Sequence, residues 1–177
     1  LSFVNDAGAL YYRLNADLAG ANVTTAQNIF GVGVTLAANT VYAFEGAYLL
    51  TKTAGTTSHT VSQSFGGSAT VNNIGGYVDA QWSSTSFTAP AIGGSNFLRC
   101  GITSTGTINP IGASISAAVY FTFATKGTVS INAGGTFIPQ YTLSAAPGGA
   151  YSTVAGSYIR FVPIGTAGSN SSQGTWS

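Results

Sequence analysis

The stretch TVYAFEGAYLLTK, residues 40–52, alternates with a period of two. Tyr42, Phe44, Tyr48 and Leu50 fall on one side of an extended chain, a pattern that a helix of 3.6 residues per turn cannot hold on one face. The other side, Val41, Ala43, Glu45, Ala47 and Leu49, is too apolar to be left to water alone. The strand is therefore expected between two packed layers, or between a sheet and a neighbouring subunit.

Alternation continues down the chain, and helical periodicity is nearly absent. His59 shares a face with Val61, Gln63 and Phe65, while Thr60, Ser62 and Ser64 take the other. The glycines of FGG at 65–67 then permit a tight reversal, read as a hairpin turn, and a strand over 68–74 resumes before a second turn at Gly75 and Gly76. Further strands are expected over 77–82, 97–104, 114–126, 128–132, 136–144 and 157–164. Gly106, Pro110, Gly134, Gly135 and the PGG at 147–149 punctuate them. Many short strands with such punctuation predict an all-β fold, an antiparallel β-sandwich of jelly-roll-like character, in one domain over 1–177. Residues 1–36 read as a less regular leading segment, partly helical around 24–29, and residues 165–177 as an extended tail.

Surface chemistry is where composition enters. Only nine side chains are charged, five Lys or Arg and four Asp or Glu, or 5% of the chain against roughly 25% in an ordinary soluble domain. Interspersed charge normally keeps soluble monomers apart. Here the outer faces are expected to be rich in hydroxyls and amides, or buried in a permanent assembly. Every apolar run is interrupted well before about 18 residues, so no membrane span is predicted. Aromatic residues at 12% with abundant Val and Ile argue against disorder. Arg13, Lys52, Arg99, Lys126 and Arg160 are scattered, which argues against a nucleic-acid partner. Cys100 is alone, so no internal disulfide is available, and synthesis in a reducing cytoplasm is expected. The sequence starts at Leu1 and holds no methionine, which reads as a processed or truncated portion of a longer product.

The chemistry that these residues could carry is sparse. A glycosidase needs two flanking carboxylates, and only Asp6, Asp17, Glu45 and Asp79 exist. Glu45, within an apolar strand, is expected to pair with Lys126 or with an arginine across the sheet rather than to serve as a raised-pKa acid. His59, the sole histidine, follows Ser58, but adjacent residues of a strand point to opposite faces, so the pair is no dyad. No G-x-S-x-G elbow occurs. His59 and Cys100 are too few for a zinc site, no calcium-loop pattern is found, and the glycine pairs lack the context of a phosphate cradle. Neither catalysis nor a cofactor is expected.

Aromatic residues remain. Tyr11, Tyr12, Tyr77, Trp82, Tyr151 and Tyr158 lie near predicted loops or strand ends, and Trp176 stands in the tail. Exposed, they could stack on sugar rings; otherwise they fill the core or a subunit interface. Tyr11, Tyr12, Tyr77, Trp82, Tyr151 and Trp176 are the candidate interface or glycan contacts.

Two stretches, TLAANTVYAFEGAYLLTKTAGTTSHTVSQSFGGSATVNNI at 35–74 and KGTVSINAGGTFIPQYTLSAAPGGAYSTVAGSYIRFVPIGT at 126–166, resemble a β-rich module of virion surface proteins of tailed bacteriophages, including cyanophages. With residues 77–125 matching in character only, the resemblance covers about two thirds of the chain. It implies a non-enzymatic β-sandwich or jelly-roll protein, often trimeric, assembled in the host cytoplasm and placed on the virion surface. Its implied role is capsid cement or decoration, with self and the major capsid protein or other virion proteins as partners, or else a fibre or knob recognising host surface glycan. It brings no functional residues with it.

Overall fold

The computed structural model describes residues 8–84, 86–87, 97–114, 117–168, 170 and 175. Among these there is no helix, and the strands are β1 (Leu10–Arg13), β2 (Leu18–Ala19), β3 (Gln27–Asn28), β4 (Val34–Leu36), β5 (Thr40–Lys52), β6 (His59–Gly66), β7 (Thr70–Ser83), β8 (Phe97–Ile102), β9 (Ile108–Ser114), β10 (Val119–Ala133), β11 (Gly135–Leu143), β12 (Ser152–Thr153) and β13 (Tyr158–Thr166). They form two antiparallel sheets. The larger runs β1-β13-β5-β10-β7-β8, with β12 beside β5 and β2 beside β12; the smaller runs β3-β11-β6-β9, with β4 also on β11.

The alternation of residues 40–52 is realised as expected. Tyr42, Phe44, Tyr48 and Leu50 are buried, and the odd positions are half-buried on the outer face. Phe121, Phe123, Val129 and Ile131 of β10 and Ile159 and Phe161 of β13 bury beside them. Phe65 and Phe137 close the layer from the smaller sheet: Phe44 meets Phe65 edge-on at 5.8 Å, and Phe137 meets Phe161 likewise at 5.8 Å. Each such side chain contributes roughly 1.5–3 kcal/mol by leaving water, and this aromatic layer joins the two sheets of the sandwich.

Several local expectations are overturned. Gly75 and Gly76 make no turn, since β7 runs straight through them. Gly127 does not divide β10 either. The glycines instead let two backbones approach: a methyl group at Gly76 would run into the Lys126 carbonyl, and one at Gly127 into the Gly75 carbonyl.

FGG does break β6, with Gly67 at φ +112°, but the chain does not return as a hairpin. It crosses to the other sheet, as it does again at Gly134. The two corners pack together, the Ala69 N–H donating to the Thr136 carbonyl at 2.9 Å. Pro110, expected in a turn, lies inside β9; that strand is an edge with irregular register, where a missing N–H is tolerated. The region around 24–29 holds β3 and no helix, because Gln27 and Asn28 pair with Tyr141 and Gln140. Among the described residues, the leading segment adds four short strands, β1 and β2 to the larger sheet and β3 and β4 to the smaller.

Candidate functional site

Lys52 is the last inward position of β5, so its ammonium is brought inside the sandwich. It donates to the carbonyls of Gly55 at 2.7 Å, Ala117 at 3.1 Å and Ala54 at 3.4 Å. Burial pushes its pKa below the ordinary lysine value.

His59 opens β6 and is 1% exposed. Nδ1 must donate to the Thr57 carbonyl at 2.7 Å, because a carbonyl only accepts. Nε2 is then the lone-pair nitrogen and accepts the Tyr151 hydroxyl at 2.6 Å. Burial lowers the imidazole pKa, the Thr57 bond raises it and the Lys52 charge lowers it again, for a net shift downward. Burial and the neighbouring Tyr141 push the Tyr151 phenol well up, and burial takes Tyr141 to about 12.

Both imidazole nitrogens are therefore committed to a carbonyl and a phenol, neither of which is a nucleophile-and-carboxylate pair. Ser58 is exposed, outside the strand. What this buried cluster can do chemically is fix the end of the sandwich where residues 52–59 and the strands near Tyr151 meet.

The outer face of the larger sheet is different. Register places Tyr11 opposite Arg160, Arg160 opposite Glu45, Glu45 opposite Lys126 and Lys126 opposite Tyr77. These five residues form one row across β1, β13, β5, β10 and β7. Glu45 has the basic neighbours expected for it, with Arg160 Nη1 at 3.8 Å. It is not in an apolar layer, however, for its side chain is 46% exposed.

Tyr77 lies beneath the Arg99 guanidinium, 4.5 Å from its centroid, and Arg99 is doubly bonded to Asp79 at 2.6 and 2.7 Å. The Arg99 guanidinium beside Asp79 holds that carboxyl below its ordinary value. At the opposite end of the row, Tyr11 leans on Tyr158 with centroids 5.9 Å apart.

A second feature is an apolar cleft of about 390 Å³ between the β1 edge and the smaller sheet. Leu10, Tyr12, Phe30, Val32, Val34 and Pro139 line it. Tyr12, paired with the inward Ile159, is 41% exposed there and meets Phe30 edge-on at 6.1 Å.

The candidate aromatics thus separate. Tyr11, at 59% exposure, and the half-buried Tyr77 share the outer row, and Tyr11 also reaches the cleft that Tyr12 borders. Trp82 is half-buried against the core. Tyr151, expected near the surface, is fully buried, because the segment before β12 directs it inward onto His59, Phe121 and Tyr141. Trp176 lies outside the described residues. The sequence led to the expectation that Glu45 pairs with Lys126 or with an arginine across the sheet, and did not place those cations beside Tyr11 and Tyr77. Alternation sets only Glu45 on the face opposite Tyr42, Phe44, Tyr48 and Leu50, and strand order aligns the five.

Compared with known proteins, the chain matches no family model and none of the curated proteins.

Proposed function

We propose that this chain is a structural protein of a bacteriophage virion, acting as a capsid cement or decoration protein that self-associates as a trimer on the assembled shell. The observation that carries this reading is the charge-poor exterior with apolar side chains left open, Tyr11, Tyr12 and Val32 grouped about the cleft and Leu98 and Ile164 elsewhere. Faces of that kind are stabilised by burial between copies or against a shell subunit. Binding only the assembled shell shifts the assembly equilibrium toward it by mass action. The buried, doubly bonded His59 favours a non-enzymatic role. Particles stripped of the protein and heated are expected to rupture at a lower temperature than intact ones. An unchanged rupture temperature overturns the cement reading.

A second reading is favoured by Tyr11 and Tyr77 on one outer row, namely a fibre tip that recognises host surface glycan. Glycan binding by the purified chain, lost on substitution of those tyrosines, separates it from the first.

A further inference from the structure

We infer that the seam between β1 and β4 receives an extended, uncharged strand of a partner protein, which adds to the β1 edge and sends alternate apolar side chains into the cleft. This goes beyond the reading above, because it states how a partner is held whichever assembly the chain enters.

The cleft is bordered by backbone as well as by side chains. Residues 9–12 and 32–34 line it as unbroken runs. Successive residues of a strand point to opposite faces, so unbroken runs mean that strand edges, and not one face of each strand, border the space. Among the described residues, β1 ends the larger sheet and pairs with β13 alone, and β4 pairs with β11 alone. The Leu14 N–H donates to the Ser157 carbonyl at 2.9 Å, and the ladder alternates from there. Leu10 and Tyr12 therefore turn their N–H and C=O groups to β13, while Tyr11 and Arg13 turn theirs to the open edge.

The two sides of the sandwich differ. At the far side β8 lies against β9, with the Cys100 thiol on the Asn109 carbonyl at 3.8 Å. On the near side Tyr12 meets Phe30 at 6.1 Å, and beside that contact the space reaches down to the buried Phe30 and Phe161. Gly33 sits so close on β11 that a methyl group there would strike Ile138, which holds the 32–34 edge down on that strand.

The chemistry of the edge selects the occupant. β1 reads LYYR, so its one charge stands at the last position, and among the described residues no charged side chain lines the cleft. A charged side chain directed inward would lose its water without a partner. A small apolar ligand would fill the space but leave the edge N–H groups beside it unmatched. A second copy pairing through its own β1 would set its own cleft alongside and leave both hollow, since Leu10 and Tyr12 line the cleft of the copy that carries them. A single extended strand matches the edge and fills the space together. Beside β1 it needs about four to six residues, of which two or three face inward.

The test combines amide hydrogen exchange on the purified chain with peptides of the pattern Lys-x-Thr-x-Thr-x-Lys, in which Val, Ile, Leu and Phe are combined at the x positions. At least one such peptide is expected to bind saturably, and the same pattern with Ser at x not. Binding should slow exchange at the Tyr11 and Arg13 amides and leave the Tyr12 amide, already bonded to β13, little changed. Tyr11→Pro removes an edge donor without touching the β13 ladder, and is expected to weaken binding roughly tenfold relative to Tyr11→Ala, which keeps that donor. Val32→Asp brings a charge to the cleft from an exposed position and should weaken binding by at least as much. The exchange result on the wild type stands whether or not a variant folds. Slow exchange at Tyr11 and Arg13 in the chain alone overturns the open seam, and assigns it to a second copy or to the chain's own leading residues. Binding that leaves those two amides fast, or equal binding of the Ser peptides, overturns strand addition. Binding to no peptide of the set overturns the proposal.

Discussion

The Tyr151 hydroxyl donates to Nε2 of His59 at 2.6 Å, inside the sandwich, between residues 92 positions apart. The bond is a long-range polar tie in the interior. Tyr151→Phe keeps the ring and its contact with Phe121 but leaves the imidazole nitrogen without a donor. A loss of about 1–3 kcal/mol is expected, read as a lower midpoint in urea at unchanged slope.

The same histidine predicts an acid dependence. Its folded-state pKa lies below the ordinary 6.5, so between those two values the unfolded chain binds more protons than the folded one. Stability then rises with pH across the window. The contribution is complete above 6.5 and is lost as pH falls toward the folded value. Urea midpoints at about pH 8, 6.5 and 5 should fall in that order, and His59→Gln should flatten the slope. An equal slope in the variant would assign the proton elsewhere. Asp79 acts in a separate window, since its depressed pKa contributes stability that disappears only below the ordinary carboxylate value of 3.8.

Lys52→Met removes the ammonium while keeping much of the side-chain volume. Three carbonyls lose their donor, and destabilisation by about 1.5–3 kcal/mol is expected. Because the Lys52 charge also lowers the His59 pKa, the acid transition of this variant should move to higher pH. An NMR titration of the imidazole would show the displacement directly.

Glycine substitutions on neighbouring strands should differ sharply. A methyl group at Gly75 meets nothing within 4 Å, so Gly75→Ala is expected to be neutral or to stabilise by up to about 1 kcal/mol. At Gly127 the same methyl group meets the Gly75 carbonyl and the Phe44 ring, and the strands must part. Gly127→Ala should lose about 1–3 kcal/mol or more, visible as a lower thermal midpoint.

Strand content and facing were legible in the sequence because they depend on neighbours two residues apart. TVYAFEGAYLLTK set Tyr42, Phe44, Tyr48 and Leu50 on one side, and the same rule set His59 on one face with Val61, Gln63 and Phe65. Connections were less legible. FGG signals a break in the chain, but whether the chain turns back beside itself or passes to the opposite sheet depends on what lies across the core, here Thr136. Gly75 and Gly76 read as a turn because glycine permits one; the use of Gly76 in close backbone approach depends on Gly127, about fifty residues further on. The outer row illustrates the same division. Alternation sets Glu45 apart from the buried face of its strand, but the alignment of the five follows from the strand order β1-β13-β5-β10-β7, which no local pattern contains.

That strand order also governs the order of events during synthesis. The central strand β5 pairs with β10 and β13, and β13 ends at Thr166, 114 residues beyond Lys52. At ribosomal speeds of about 5–20 residues per second, β5 is made roughly 6–23 s before its last partner exists. Until β13 arrives, the edge of β5 that it will occupy stays open, and Glu45 and Lys52 are the only charges along that strand to discourage pairing with other chains.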